Sequence, residues 1–173
     1  MNYILPTIIS LILLSGCGYK PSAKFAREVV GENISTSINI SASDPANSVI
    51  IKDAISSAIV SIFNASLSDK SVSDTHLELS TGSPSYKAIE FDENGFVVSY
   101  RMSIKLNINS YTNGIKKSYT STGTYDFAVS PNATITDQER FEAIKFSATK
   151  AIRSFVSKVS VDGARKSKNK KEN

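Results

Sequence analysis

The groups able to do chemistry in this 173-residue chain are few: one histidine, His76, and one cysteine, Cys17. His76 stands in the stretch Thr75–Thr81 with no cysteine, second histidine or acidic cluster at ligand spacing around it. One ligand does not make a metal site, so no metal is expected and His76 reads as an ordinary surface or edge residue. Serine and threonine are abundant, but none sits in a Gly-x-Ser-x-Gly elbow, and no glycine-rich phosphate loop occurs. Asp92-Glu93 is a carboxylate pair on a tight turn, where acidic residues are expected for turn reasons alone. Without activated groups in proximity there are no candidate catalytic residues, and neither an enzyme nor a cofactor is expected.

Cys17 carries a different chemistry. The run from Ile4 to Leu14 is almost wholly apolar and about eleven residues long, which suits the core of a signal peptide and falls short of a membrane-spanning helix. Leu14-Ser15-Gly16-Cys17 follows at once. An aliphatic residue, two small residues and a cysteine form a lipobox, in which the sulfur receives diacylglycerol and the chain is cut before the cysteine. Residues 1–16 are therefore expected to be a removable signal peptide, although Met1-Asn2-Tyr3 supplies no Lys or Arg. A single cysteine excludes an intrachain disulfide. One acyl chain holds a protein only marginally to a bilayer, whereas two or three on Cys17 make a stable anchor. An Asp after the lipidated cysteine retains Gram-negative lipoproteins in the inner membrane. Gly18 stands there, which favours a lipid-anchored protein on the periplasmic side of the outer membrane.

The remaining candidates are cations. The formal charge is +4 and the pI about 9.1. From Asp162 to Asn173 five basic residues stand against two acidic ones, so +3 of that charge belongs to the tail. The body is close to neutral and exported, so nucleic acid is not an expected partner. Within the body, Arg101 and Lys105 share one face of a long strand, and Lys116 and Lys117 lie on its hairpin partner. Cations spaced along a polar sheet suit the phosphates of an anionic glycolipid, with Arg binding in bidentate fashion. They equally suit a face kept soluble by charge.

The elements that position these residues follow from the spacing of apolar side chains. Residues 17–33 read as the lipidated N-terminus and a tether, without a sustained apolar face. Ile34–Ile40 alternates as a strand. From Ser48 to about Leu67, apolar residues recur at Ile51, Ile55, Ala58, Ile59, Ile62 and Phe63, three and four apart, with Asn47 or Ser48 as N-cap; this is an amphipathic helix. Thr75–Thr81 and Tyr86–Phe91, broken by Gly82-Ser83-Pro84, read as one interrupted strand or two short ones. Asn94-Gly95 makes a hairpin turn, because such turns need the positive φ these residues tolerate.

Phe96–Tyr111 is the strongest strand signal. Met102, Ile104, Leu106 and Ile108 fall on one face, and Arg101, Ser103, Lys105, Asn107 and Asn109 on the other. Asn113-Gly114 turns the chain into the return strand Ile115–Val129. Its Tyr119, Tyr125, Phe127 and Val129 share one phase, and Lys116, Ser118, Thr120, Thr122, Thr124 and Asp126 the other. Thr136 and Glu139 form a capping box that opens a second helix. The expected fold is α+β: a mixed, mainly antiparallel four-stranded sheet with two helices packed on one face, spanning residues 34–160 as one domain. Residues 161–173 read as a basic disordered tail. The opposite face of the sheet is left polar.

With these residues in place, the chain resembles the lipopolysaccharide-assembly lipoproteins of the LptE family. The likeness rests on Leu14-Ser15-Gly16-Cys17-Gly18-Tyr19, the Asn94-Gly95 turn, Tyr100-Arg101-Met102 in the long strand, Asp137-Gln138-Glu139 opening the last helix, and the order of the elements. It implies a non-enzymatic outer-membrane lipoprotein. Such a protein plugs and helps assemble an LptD-type β-barrel that inserts lipopolysaccharide, and binds lipopolysaccharide during delivery. It also implies a basic residue in the turn before the long strand. Asp92 and Glu93 occupy that neighbourhood, which shifts glycolipid contact to Arg101, Lys105, Lys116 or Lys117. The competing reading is a free periplasm-facing lipoprotein that binds a small ligand or helps a secretion channel assemble.

Overall fold

The computed structural model describes residues 26, 29–40, 45–131 and 133–169. The signal peptide, Cys17 and most of the tether lie outside the described residues, as does the end of the tail. The first strand, β1 (Asn33–Ile40), enters the sheet beside Asp74, whose Oδ2 accepts from the Glu32 and Asn33 amides at 2.9 and 2.8 Å.

Helix α1 (Pro45–Phe63) begins three residues before Ser48. Proline is suited to the first helical turn, where its missing N–H would have no partner. The helix ends before Leu67 because Asn64 takes φ 48°, a left-handed conformation that stops helices. Ser66–Leu67 then forms a short strand, β2, parallel to the start of β1.

Four further strands follow: β3 (Thr75–Thr81), β4 (Ser85–Phe91), β5 (Val97–Thr112) and β6 (Ile115–Ala128). The sheet therefore has six strands rather than four. It is mixed, because β1 runs parallel to both β2 and β3 while the other pairings are antiparallel. The interrupted-strand reading describes the path well. β3 pairs the C-terminal half of β5 (Thr75 opposite Thr112) and β4 its N-terminal half (Tyr86 opposite Met102), so both lie along one edge of β5 and β6 lies along the other. At the second hairpin Asn113 (φ 50°) and Gly114 (φ 75°) are both left-handed, as a two-residue turn between right-twisted strands requires. At the first, Gly95 alone takes positive φ, and Asp92 does the rest: its Oδ1 accepts from the Asn94 and Phe96 amides at 2.9 and 2.8 Å.

Helix α2 (Asp137–Asn169) opens on the expected capping box: the Thr136 amide donates to Glu139 Oε2 at 2.8 Å and the Glu139 amide to Thr136 Oγ1 at 3.2 Å. It continues through 161–169, where the sequence reads as tail. Asp162 holds this part to the sheet, since its Oδ2 accepts from Lys117 Nζ at 2.7 Å and from the Tyr119 hydroxyl at 3.0 Å.

Both helices cover the same face of the sheet. Ile51, Ile55, Ile59 and Phe63 from α1 meet Ile144, Ile152, Phe155 and Val159 from α2 over Leu77, Leu79, Met102, Ile104, Leu106 and Ile108, all fully buried. Each such side chain contributes about 1.5–3 kcal/mol by leaving water. α2 lies close against the sheet at Gly123, where a Cβ would lie 1.9 Å from the Ser147 carbonyl oxygen and 2.4 Å from the Ala151 amide nitrogen.

Candidate functional site

The face of the sheet turned away from the helices is the candidate site. Alternation fixes its members, because every second residue of each strand points to it. Register then aligns them in rows across the strands. At the Asn113-Gly114 end, Ser35, His76, Tyr111 and Lys116 form one row. Ser37, Glu78, Asn109 and Ser118 form the next, followed by Asn39, Ser80, Asn107 and Thr120. Further along lie Lys105 opposite Thr122, and then Arg101 between Lys87 and Asp126.

These polar groups are matched to one another. Ser118 Oγ donates to Asn109 Oδ1 at 2.8 Å and Thr120 Oγ1 to Asn107 Oδ1 at 3.2 Å. The Tyr111 hydroxyl donates to Glu78 Oε2 at 2.8 Å, and this bond holds the Glu78 carboxyl below the usual carboxylate range. His76 Nδ1 lies 2.9 Å from Ser35 Oγ, and its ring is tilted against Tyr111. Burial, aided by the charge of Lys70, lowers the His76 pKa, which favours the neutral ring. Among the described residues no cluster of three metal-ligating side chains occurs.

The four predicted cations do not come together. Arg101 is bound to Asp126: Nε donates to Oδ1 at 2.7 Å and Nη2 to Oδ2 at 2.6 Å. That fork raises the Arg101 pKa and holds the Asp126 carboxyl below its usual range. Lys105 projects from the open face and is exposed. Lys116 shares that face, with Nζ 5.5 Å from the centre of the Tyr111 ring. Its row lies ten residues from Arg101 along β5, about 33 Å at the rise of a strand. Lys117 points the opposite way, to the helix side, and pairs with Asp162. The open face is thus a long polar surface carrying single, spaced cations.

Sequence reasoning missed two partners that shape this surface. Asp126 was visible in the polar phase of β6, but only the strand register places it opposite Arg101. Asp162 lies in the tail by composition, and only the fold brings it to Lys117 and Tyr119.

A family model described as LptE, lipopolysaccharide-assembly, matches residues 35–159. No curated protein matches the chain. Among solved structures the chain is similar to rare lipoprotein B from Shewanella oneidensis, at 12% identity over 80% of this chain and 99% of that one, with a TM-score of 0.39. It is also similar to a minor lipoprotein from Acinetobacter baumannii, at 11% identity over 78% and 94%, TM-score 0.47. A third is lipoprotein B from Nitrosomonas europaea, at 14% identity over 77% and 84%, TM-score 0.45.

Proposed function

This chain belongs to the LptE lipopolysaccharide-assembly family, and from that premise we propose that it plugs and helps assemble the LptD-type outer-membrane barrel that inserts lipopolysaccharide, and that it binds lipopolysaccharide during delivery. The lipid on Cys17 would hold the domain at the periplasmic mouth of that barrel.

The observation that best supports this reading is the uncovered polar face of the sheet. The lumen of an outer-membrane barrel is polar, and strand residues such as Ser, Thr and Asn can exchange water for hydrogen bonds to its wall. Charges carried into such a contact cost least when they arrive paired. Here Arg101 arrives paired with Asp126, and the Glu78 carboxylate arrives hydrogen-bonded by the neutral Tyr111 hydroxyl. Lys105 and Lys116 remain as point charges for phosphate groups, and Arg101 reaches a phosphate by exchanging its partner.

The test is mass spectrometry of a mild-detergent pull-down of the full lipidated chain. An outer-membrane barrel of the LptD type is expected to co-purify. Thr122→Trp, which crowds the open face, should reduce its recovery, while Lys52→Trp on the exposed side of α1 should not. Depletion of the protein should lower both correctly assembled barrel and surface lipopolysaccharide. Normal levels of both, with a monomeric protein in the pull-down, would overturn the reading.

A further inference from the structure

The other side of the molecule holds a groove that the barrel reading does not use. It runs between α1 and α2 on their outer surface and has a volume of about 480 Å³. That size falls within the usual range of small-ligand sites.

Its geometry follows from how the helices lie. Phe63 of α1 meets Phe155 of α2 with ring centroids 5.9 Å apart, and the topology makes the two helices run in the same direction. Stepping back one turn at a time from that contact sets Ser61 beside Arg153, Ser57 beside Thr149, and Asp53 beside Lys145, and all six line the groove. Small residues on α1, with Ala58 buried as floor and Ala54 half-buried, leave the trough open. Ile50 and Phe141 close its far end, and Phe141 stays 44% exposed there.

The charges are unequal along the trough. Lys145 stands at the level of an acid, Asp53. Arg153 stands at the level of Ser61, with Ser57 one turn back and no acid beside it, and among the described residues neither its guanidinium nor Lys145 has an ion-pair partner. One end therefore offers a planar cation with Ser61 and Ser57 near it, and Ala58, Ala54, Ile50 and Phe141 give the remainder an apolar floor that passes Thr149, Asp53 and Lys145. From Arg153 to Phe141 the channel is about 18 Å long, at 1.5 Å per helical residue.

We propose that this groove binds a single-chain fatty carboxylate. Its carboxylate sits on Arg153, Ser57 and Ser61, and its chain lies over Ala58 and Ala54 toward Ile50 and Phe141. The Arg153 guanidinium matches a carboxylate in bidentate fashion. At about 480 Å³ the groove is too small to take in a peptide helix of about 10–12 Å diameter. A multi-chain glycolipid would leave most of its apolar surface outside. The site is on the opposite side of the domain from the polar sheet face, so it stands or falls independently of the barrel.

The experiment uses the full lipidated chain in nanodiscs and two photoreactive myristates, one with its diazirine at the terminal carbon and one with it next to the carboxylate. After irradiation, the labelled residues are mapped by peptide mass spectrometry. The terminal probe should label residues 50–54 and Phe141, and the carboxylate-proximal probe residues 57–61 and 149–153. Unlabelled myristate should compete and its methyl ester should not. Arg153→Glu should reduce labelling about ten-fold, the effect of losing a charge-assisted bond. Arg153→Lys should restore most of it, and Ser57→Phe should block the trough. Both positions are exposed on helices, so unchanged helicity and melting temperature would establish that the variants are folded. Labelling that survives both Arg153→Glu and Ser57→Phe would overturn the proposal. So would identical maps from the two probes, equal competition by the ester, or competition by lipopolysaccharide but not by myristate.

Discussion

Arg101 and Asp126 face each other across β5 and β6 and share two hydrogen bonds, Nε to Oδ1 at 2.7 Å and Nη2 to Oδ2 at 2.6 Å. Both side chains remain nearly half exposed, 49% and 44%. The fork therefore sits in water and exchanges readily. It keeps the bidentate cation of the open face neutralised until a stronger anion displaces the carboxylate.

Asp126→Asn keeps the shape of this pair and removes its negative charge. The variant should bind purified lipopolysaccharide more tightly than the parent at low ionic strength, with the gain shrinking as salt screens it. Arg101→Glu combined with Lys105→Glu should bind more weakly. Titration of the full chain at low and high salt reads both effects. If all three proteins bound alike, Arg101 and Lys105 would be residues of a solvated face only.

At Gly123 the backbone of α2 packs directly against β6. A methyl group there would lie 1.9 Å from the Ser147 carbonyl oxygen, so the helix must shift or the strand must bend. Gly123→Ala should lower stability by about 1–3 kcal/mol, the usual cost of overpacking. Urea unfolding followed by circular dichroism measures this. Gly82→Ala, with nothing within 4 Å of its Cβ, is the matched control and should be neutral or slightly stabilising.

Phe155 is fully buried and meets Phe63 at 5.9 Å and Tyr119 at 5.3 Å. It joins both helices to the return strand. Phe155→Ala should cost about 3–5 kcal/mol, the transfer term plus the cavity left behind. A loss of under 1 kcal/mol in the same unfolding assay would show that the core closes over the gap.

Local signals in the sequence were readable, and non-local ones were not. The alternation of Met102, Ile104, Leu106 and Ile108 gives the buried face of β5 directly, because a strand has period two. Asn113-Gly114 gives a hairpin and Thr136 with Glu139 a helix start, because turn and cap chemistry act over a few residues. The same alternation places Lys116 in the polar phase and Lys117 in the apolar one. The parallel pairing of β1 with β3 has no such signal, since nothing in a strand's own pattern names a partner 41 residues away (Ile34 opposite Thr75). The apolar pattern of helix α1 runs past the helix's end for a related reason. Ala65 and Leu67 continue an apolar pattern, but the left-handed Asn64 breaks the geometry that the pattern assumes.

Asp162 ties the end of α2 to the start of β6. Its carboxyl is held below the usual carboxylate range, first by the hydrogen bond from Lys117, against burial, and then by that from the Tyr119 hydroxyl. A depressed pKa in the folded state means that the unfolded chain takes up the proton first as acid is added. The stability from this group is therefore fully present above the ordinary value of 3.8 and is lost as pH falls from there through the lower folded value. Asp162→Asn should be less stable than the parent at neutral pH, by about 1 kcal/mol or less for a pair roughly one-third exposed. The difference should close in acid. Burial, and after it the same carboxylate, raises the Tyr119 pKa. Asp162→Asn should accordingly lower the alkaline midpoint of Tyr119 in a spectrophotometric titration. A gap between the unfolding curves that stayed constant with pH would mean that Asp162 acts by packing rather than by charge.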